Sequence, residues 1–219
     1  MNNRIVKTLR ERWPTEIDFE INKSLKKENW QDKRNPNSRW NVHPFGMTES
    51  GKIDFRGFPF REQIKYQYVF GIDFSYSDSL SEFTEGYGAS RGEAGISFSI
   101  FENCDFMGSD MPANLSEKFI DCNFSHAKFD STRMNGLFES CLFSSSKIKN
   151  VIGNMKFVNC NFSKATFSQS NFYSCYFESC IFDDANFSRA NISGSTFVNT
   201  KPSGQQLESC ILKEKIKFL

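Results

Sequence analysis

Residues 160–199 read CNFSK ATFSQ SNFYS CYFES CIFDD ANFSR ANISG STFVN when cut every five residues. The third place holds Phe162, Phe167, Phe172, Phe177, Phe182, Phe187, Ile192 and Phe197, and the first is always Cys, Ala or Ser. One large and one small inward position per five residues matches neither a helix, with its period of 3.6, nor a flat strand, with its period of two. It matches a chain that turns a corner every five residues. Four such sides make a coil of about twenty residues, and coils then stack about 4.8 Å apart through backbone hydrogen bonds. The large side chains fill the axis and the small ones lie beneath them.

The order extends toward the N-terminus. A hexamer recurs as FENCDF at 101–106, FIDCNF at 119–124, FESCLF at 138–143, FVNCNF at 157–162 and FESCIF at 177–182, with spacings of 18, 19, 19 and 20 residues. Composition carries the same mark, since 25 of 219 residues are Phe beside 6 Tyr and 3 Trp. A bias toward one aromatic points to a repeat rather than an ordinary core. The units resemble the pentapeptide repeat family, A-(D/N)-(L/F)-x-x, over at least 101–199. The resemblance implies an all-β solenoid, a right-handed quadrilateral β-helix, here with a partly helical N-terminal cap.

Laying the chain on four sides gives a register. The first side receives Phe106, Phe124, Phe143, Phe162 and Phe182, each preceded two residues earlier by Cys104, Cys122, Cys141, Cys160 or Cys180. The second receives Met111, Phe129, Ile148, Phe167, Phe187 and Leu207. The third receives Leu115, Met134, Ile152, Phe172, Ile192 and Leu212. The fourth receives Phe101, Phe119, Phe138, Phe157, Phe177 and Phe197. Steps of four residues are needed at 111–115, 115–119, 134–138 and 148–152, so irregular corners are expected there. Glu117 and Met155 fall on small inward places and fit poorly; a carboxylate is costly to bury unpaired, so Glu117 is expected to escape through a bulge.

Earlier, Ile53-Asp54-Phe55 and Ile72-Asp73-Phe74 lie 19 residues apart, with Phe60, Ile64 and Val69 for the sides between. The predicted organisation is an N-terminal capping segment (1–50), a degenerate first coil (51–76), an inserted loop (77–95), the repeat β-helix (96–212) and a C-terminal cap (213–219). Residues 1–50 hold Trp13, Trp30 and Trp40, with Ile5, Leu9 and Trp13 at helical spacing before Pro14. Solenoid ends expose unpaired backbone and apolar side chains, so a cap is expected there.

The residue inventory argues against catalysis. The seven cysteines (Cys104, Cys122, Cys141, Cys160, Cys175, Cys180 and Cys210) sit two residues before a central position and form no C-x-x-C pair, which predicts buried, reduced, unreactive thiols and no metal site. His126 is predicted to face solvent and His43 to lie in a loop, with no acid or nucleophile at a recognisable spacing. Asp183-Asp184 read as a solvated corner, and no glycine-rich phosphate loop is present. No catalytic residue, metal or cofactor is expected. Five N-x-S sequons, at Asn114, Asn123, Asn161, Asn186 and Asn191, are by-products of the N-F-S consensus. The start lacks a signal-like apolar stretch and no run approaches a membrane span, so the expectation is a soluble cytoplasmic protein.

What remains is surface. The formal charge is +1 overall, but residues 1–70 count +5, residues 71–130 count −8 and residues 131–219 count +4. An acidic band is therefore hidden inside a neutral total. An inserted loop on a rigid scaffold is where distinct recognition usually resides, so the partner-binding residues are predicted to be Tyr76, Asp78, Glu82, Glu85, Tyr87, Glu93, Glu102 and Asp105. The partner is expected to be another protein, a toxin domain, with no direct nucleic-acid or membrane binding, and the chain a monomer or homodimer. A tryptophan-containing preface and the segment HPFGMTESGKIDFRGFPF (43–60) look similar to pentapeptide proteins encoded beside polymorphic toxins, which implies an immunity protein. The alternative within the family is a DNA-mimicking modulator or protector of type II topoisomerase. An enzyme housed in 1–50 or 77–95 is the third reading, and the inventory gives it little support.

Overall fold

The structure, a computed structural model, describes residues 3–14, 16–17, 20–21, 44–61, 63–79 and 95–219. Why the chain coils is visible at each corner. Two residues after a central Phe the backbone enters the left-handed region, as at Lys164 (φ 60°), Gln169 (φ 61°), Ser174 (φ 57°) and Asp184 (φ 55°). The next N–H then donates back to the carbonyl of the central residue, from Ala165 to Phe162 at 2.9 Å and from Ser170 to Phe167 at 3.2 Å. A left-handed non-glycine residue is uncommon, but here each corner also hands its neighbours to the coils above and below. Leu142 N–H donates to the Cys122 carbonyl at 2.9 Å, and Phe124 N–H to the Leu142 carbonyl at 2.6 Å.

The parallel ladder is most continuous on the third and fourth sides. There β2 (Gln63–Lys65) and β3 (Tyr68–Phe70) pair with β5 (Gly95–Glu102), followed by β6 (Asn114–Ile120), β7 (Arg133–Glu139), β8 (Met155–Val158), β9 (Tyr176–Glu178), β10 (Thr196–Val198) and β11 (Lys217–Phe218). On the first side β1 (Ile53–Asp54) pairs with β4 (Ile72–Asp73) and single bridges continue the column. Inside, phenylalanine rings stack coil on coil: Phe119 on Phe138 with centroids 4.9 Å apart, and Phe143 on Phe162 at 4.8 Å. Phe106, Phe124, Phe143, Phe162, Phe138, Phe157 and Phe177 are fully buried.

Three register assignments are corrected. Ile152 bridges Arg133 and Asn171 on the outer surface and is 56% exposed, while Val151 takes the small inward place. Gly153 occupies the central place, where a Cβ would stand 1.6 Å from the Met134 carbonyl oxygen and 3.0 Å from Met155 Sδ. The empty glycine position is what admits Met155, which is buried despite its size. Leu212 pairs with Asn191, one residue outside the central place, and is exposed. Leu207 lies on a helix, α2 (Gly204–Ser209), that replaces the second side of the last coil. Cys210 follows at the C-cap of that helix rather than two before a central residue. Ser203 and Gln206 form a capping box there, and Gln206 Nε2 donates to the carbonyls of Phe182 (2.7 Å) and Ala185 (2.9 Å), tying α2 to the coil below.

Glu117 is exposed with φ 102°, and strands β6 and β7 run straight through this corner. The bulge lies in neighbouring β5, where pairing slips between Ile96 and Ser99. In the early coil, Phe55, Phe60, Ile64, Val69 and Phe74 are buried, and Ile53 and Asp54 pair with Ile72 and Asp73. Pro59 bridges Asp78, which sets buried Ser79 on the second side above Phe60, and the third side resumes where Ile64 pairs with Ile96. Residues 80–94 between them, and Trp30, Trp40 and His43, lie outside the described residues.

At the N-terminus, helix α1 (Asn3–Glu11) crosses the first coil. A Cβ on Gly57, whose φ is +75°, would stand 2.4 Å from the Leu9 carbonyl oxygen, so the contact requires glycine. Trp13 then covers Phe45, Phe55 and Phe58 with centroid distances of 4.9, 5.4 and 5.1 Å.

Candidate partner interface

Glu102, Asp105 and Asp78 stand on three adjacent sides of the early coils, the fourth, first and second, whereas Asp54 and Asp73 are buried. Asp105 lies on the first side between Asp73 and Asn123, and accepts hydrogen bonds from Asn123 Nδ2 at 3.3 and 3.2 Å. Glu102 lies at the outer edge of the fourth side and accepts from Tyr68 Oη at 2.6 Å; burial and this carboxylate push the Tyr68 phenol up to about 12. Tyr76 forms a left-handed corner with φ 61°. Asp78 follows on the second side. Of the eight residues named from the sequence, Glu82, Glu85, Tyr87 and Glu93 lie outside the described residues.

Two arginines at the end of α1 organise the described part of this band. Arg10 donates from Nε to the Tyr76 carbonyl at 2.9 Å, and its two terminal nitrogens reach Asp78 at 3.1 Å and Asp110 at 2.9 Å. Lys128 pairs with Asp110 from the next coil at 2.9 Å. Burial alone would raise the Asp110 carboxyl, but Lys128 and Arg10 hold it below the usual range. Arg12 forks onto Asp54, which also pairs with Arg56 at 2.8 Å. Burial would raise Asp54 too, yet the hydrogen bonds from Arg12 and Arg56 outweigh it and hold the carboxyl far below its ordinary value. Asp73, buried and flanked by Asp105, is pushed up by its loss of water, against the hydrogen bonds from Ser75. Asp54 and Asp110 were not among the predicted site residues. Their partners Arg10 and Arg12 lie more than forty residues away in sequence, a distance no short motif spans.

The thiols form a column. Cys104, Cys122, Cys141, Cys160 and Cys180 are all buried, and each Sγ lies within 3.3–3.7 Å of backbone carbonyls of its own and the preceding coil. Burial pushes the Cys104 and Cys122 thiols well above their ordinary value and Cys175 up to about 12. His126 is exposed at a corner with φ 59°. Among the described residues no group of three or more His, Cys, Asp and Glu could hold a metal ion, and no helix is long and apolar enough to cross a membrane.

Residues 160–199 match the pentapeptide repeats, in eight copies. No curated protein sequence matches the chain. Among solved structures, a trypsin-treated form of QnrB1, a plasmid-mediated fluoroquinolone resistance protein, is 14% identical, covers 76% of this chain and 77% of its own, and superposes with a TM-score of 0.54. HetL, a pentapeptide repeat protein involved in heterocyst differentiation regulation in the cyanobacterium Nostoc sp. strain PCC 7120, is 14% identical over 77% of this chain and 90% of its own, with a TM-score of 0.25. The fold comparison rests on the first of these. Residues 160–199 thus carry pentapeptide repeats, and the same parallel stacking of coils extends through the described structure from Phe55 to Phe197, well beyond the matched stretch.

Proposed function

We propose that this protein is a non-catalytic immunity protein, which binds a toxin domain and neutralises it without chemistry. The observation that carries this reading is the placement of charge, −8 over residues 71–130 against +4 over 131–219. An acidic patch of that kind suits a basic active-site cleft, steers association and makes the on-rate sensitive to salt. The interface in this reading centres on the segment from Tyr76 through Glu82, Glu85, Tyr87 and Glu93, with Glu102 and Asp105 on its flank. Tyrosine beside carboxylates suits such a surface, because the ring buries area and keeps a polar handle. The protein acts in the cytoplasm, as a monomer or homodimer.

The second reading, modulation or protection of type II topoisomerase by DNA mimicry, draws on the fold shared with the resistance protein QnrB1. Mimicry of duplex DNA calls for acid along the whole rod, and here the later coils are basic. Fold likeness alone does not fix function.

The test uses two titrations of the full chain, against the toxin-like product of a neighbouring reading frame and against DNA gyrase supercoiling. The immunity reading expects neutralisation in the first and no effect in the second. Because Asp78 holds Arg10, charge reversal should spare it. The variant Glu82→Lys, Glu85→Lys, Glu93→Lys is expected to keep its melting temperature and lose at least tenfold in association rate. Unchanged association in that variant removes the acidic band from the interface, and protection of gyrase in place of toxin neutralisation removes the immunity reading.

A further inference from the structure

On the outer surface of the fourth side, the residues before and after each central Phe form two straight columns. One runs Tyr68, Ile100, Lys118, Leu137, Lys156, Tyr176 and Thr196; the other runs Phe70, Glu102, Ile120, Glu139, Val158, Glu178 and Val198. From the second coil on, an apolar or aromatic residue alternates between the columns, so Ile100, Ile120, Leu137, Val158, Tyr176 and Val198 make one unbroken zigzag, each partly exposed. Lysines alternate with them along one edge and glutamates along the other. On the second side, by contrast, the outward column is Asp110, Lys128, Lys147, Thr166 and Asn186.

Both lysines and two of the three glutamates on this strip pair within it, and Glu102 keeps its charge. Lys118 pairs with Glu139 at 3.6 Å, Lys156 with Glu178 at 4.0 Å, and Glu102 takes the Tyr68 hydroxyl. Lys156 also sits over the Tyr176 ring, 4.7 Å from its centroid. A row of partly exposed apolar side chains this long on a soluble rod marks an interaction surface.

Its dimensions select the occupant. Six steps from Tyr68 to Val198 at about 4.8 Å give a length of about 29 Å, and two columns two residues apart give a width of about 10 Å with their side chains. A flat area of about 300 Å² is well under the roughly 800 Å² per partner of a standard stable interface, which argues against a second rod lying on it. It fits a single α-helix, which is about 10–12 Å across and advances about 5.4 Å per turn, close to the coil spacing. We infer that the outer face of the fourth side is a docking strip for one amphipathic α-helix of a protein partner, with its apolar stripe along the zigzag, acidic residues over Lys118 and Lys156, and basic residues over Glu102, Glu139 and Glu178. This surface does not depend on the identity of the partner proposed for the acidic band.

The probe is a synthetic 20-residue helical peptide with leucines in one stripe, glutamates along one flank and lysines along the other. Two further peptides carry only glutamate or only lysine on both flanks. Fluorescence anisotropy with the full chain should show the mixed-flank peptide binding at least fivefold tighter than either single-sign peptide. The variant Leu137→Asn, Val158→Asn places on this side the polar residue type that faces outward elsewhere, so it should keep its melting temperature and lose at least tenfold in affinity. If that variant melts early, Tyr176→Asn serves instead, with a loss of at least threefold expected. Equal binding by wild type and folded variants, equal binding of all three peptides, no binding, or sedimentation showing a dimer that the variants dissociate would each overturn the inference.

Discussion

At the scale of single residues, the inward small positions separate two kinds of buried hydroxyl. Ser170 Oγ donates to the Ile148 carbonyl at 2.6 Å and accepts from Val151 N–H at 3.0 Å, whereas buried Ser146 Oγ has no hydrogen-bond partner. A buried polar atom without a partner carries its desolvation cost uncompensated. Ser146→Ala, which repeats the Ala127 and Ala165 of adjacent coils, is therefore expected to leave stability unchanged or raise it by up to about 1 kcal/mol. Ser170→Ala is expected to lower it by about 1–2 kcal/mol. Paired thermal melts check both, and a drop for Ser146→Ala as large as that for Ser170→Ala would contradict the argument. In the phenylalanine columns the stakes are larger: Phe162→Ala removes a fully buried ring stacked on Phe143 and Phe182 and should cost about 3–5 kcal/mol by urea denaturation.

At the scale of elements, α1 and the first coil are joined through Asp54, whose depressed carboxyl makes the joint sensitive to acid. A group with a lowered folded pKa stabilises fully above its unfolded value of about 3.9, and that stability is lost as pH falls through the lower folded value. Acid below about pH 4 is thus expected to release the N-terminal segment, followed by Trp13 fluorescence in a Trp30→Phe, Trp40→Phe background. Asp73 works in the opposite direction, because its raised carboxyl favours the folded state at low pH. Gly57→Ala should detach α1 at neutral pH by steric contact with Leu9, moving the same fluorescence. The coil was legible in the sequence because each Phe, Cys and Ser repeats a local rule. The Gly153 place was not, since hydrophobicity favours Ile152 inward and only the space shared with Met134 and Met155 decides the matter. The Arg10 and Arg12 contacts were equally hidden, being set by where a helix lands. Of the predicted band, Asp105 stands on the first side between Asp73 and Asn123, while Asp78 on the second side is already engaged by the N-terminal helix.

At the scale of the whole molecule, each coil touches only its neighbours, so stability is distributed along one dimension. The buried thiol column follows that distribution: labelling of Cys122, Cys141 and Cys160 should be slow in native protein and fast in denaturant, and rapid native labelling would show that the coils open independently. The break in register between Ser79 and Ile96 has a different consequence. The chain on its two sides is held by separate ladders, Phe74 N–H to the Asp105 carbonyl at 2.6 Å and Tyr76 N–H to the Met107 carbonyl at 2.8 Å on one, Ile64 on Ile96 and Val69 on Phe101 on the other. Every one of these contacts joins residues before 80 to residues after 94. Cutting the peptide between them would therefore sever a covalent link while leaving all of these rungs in place, and the gene divided there should yield two polypeptides that reassemble when expressed together, an intrinsic split point for reporter fusions.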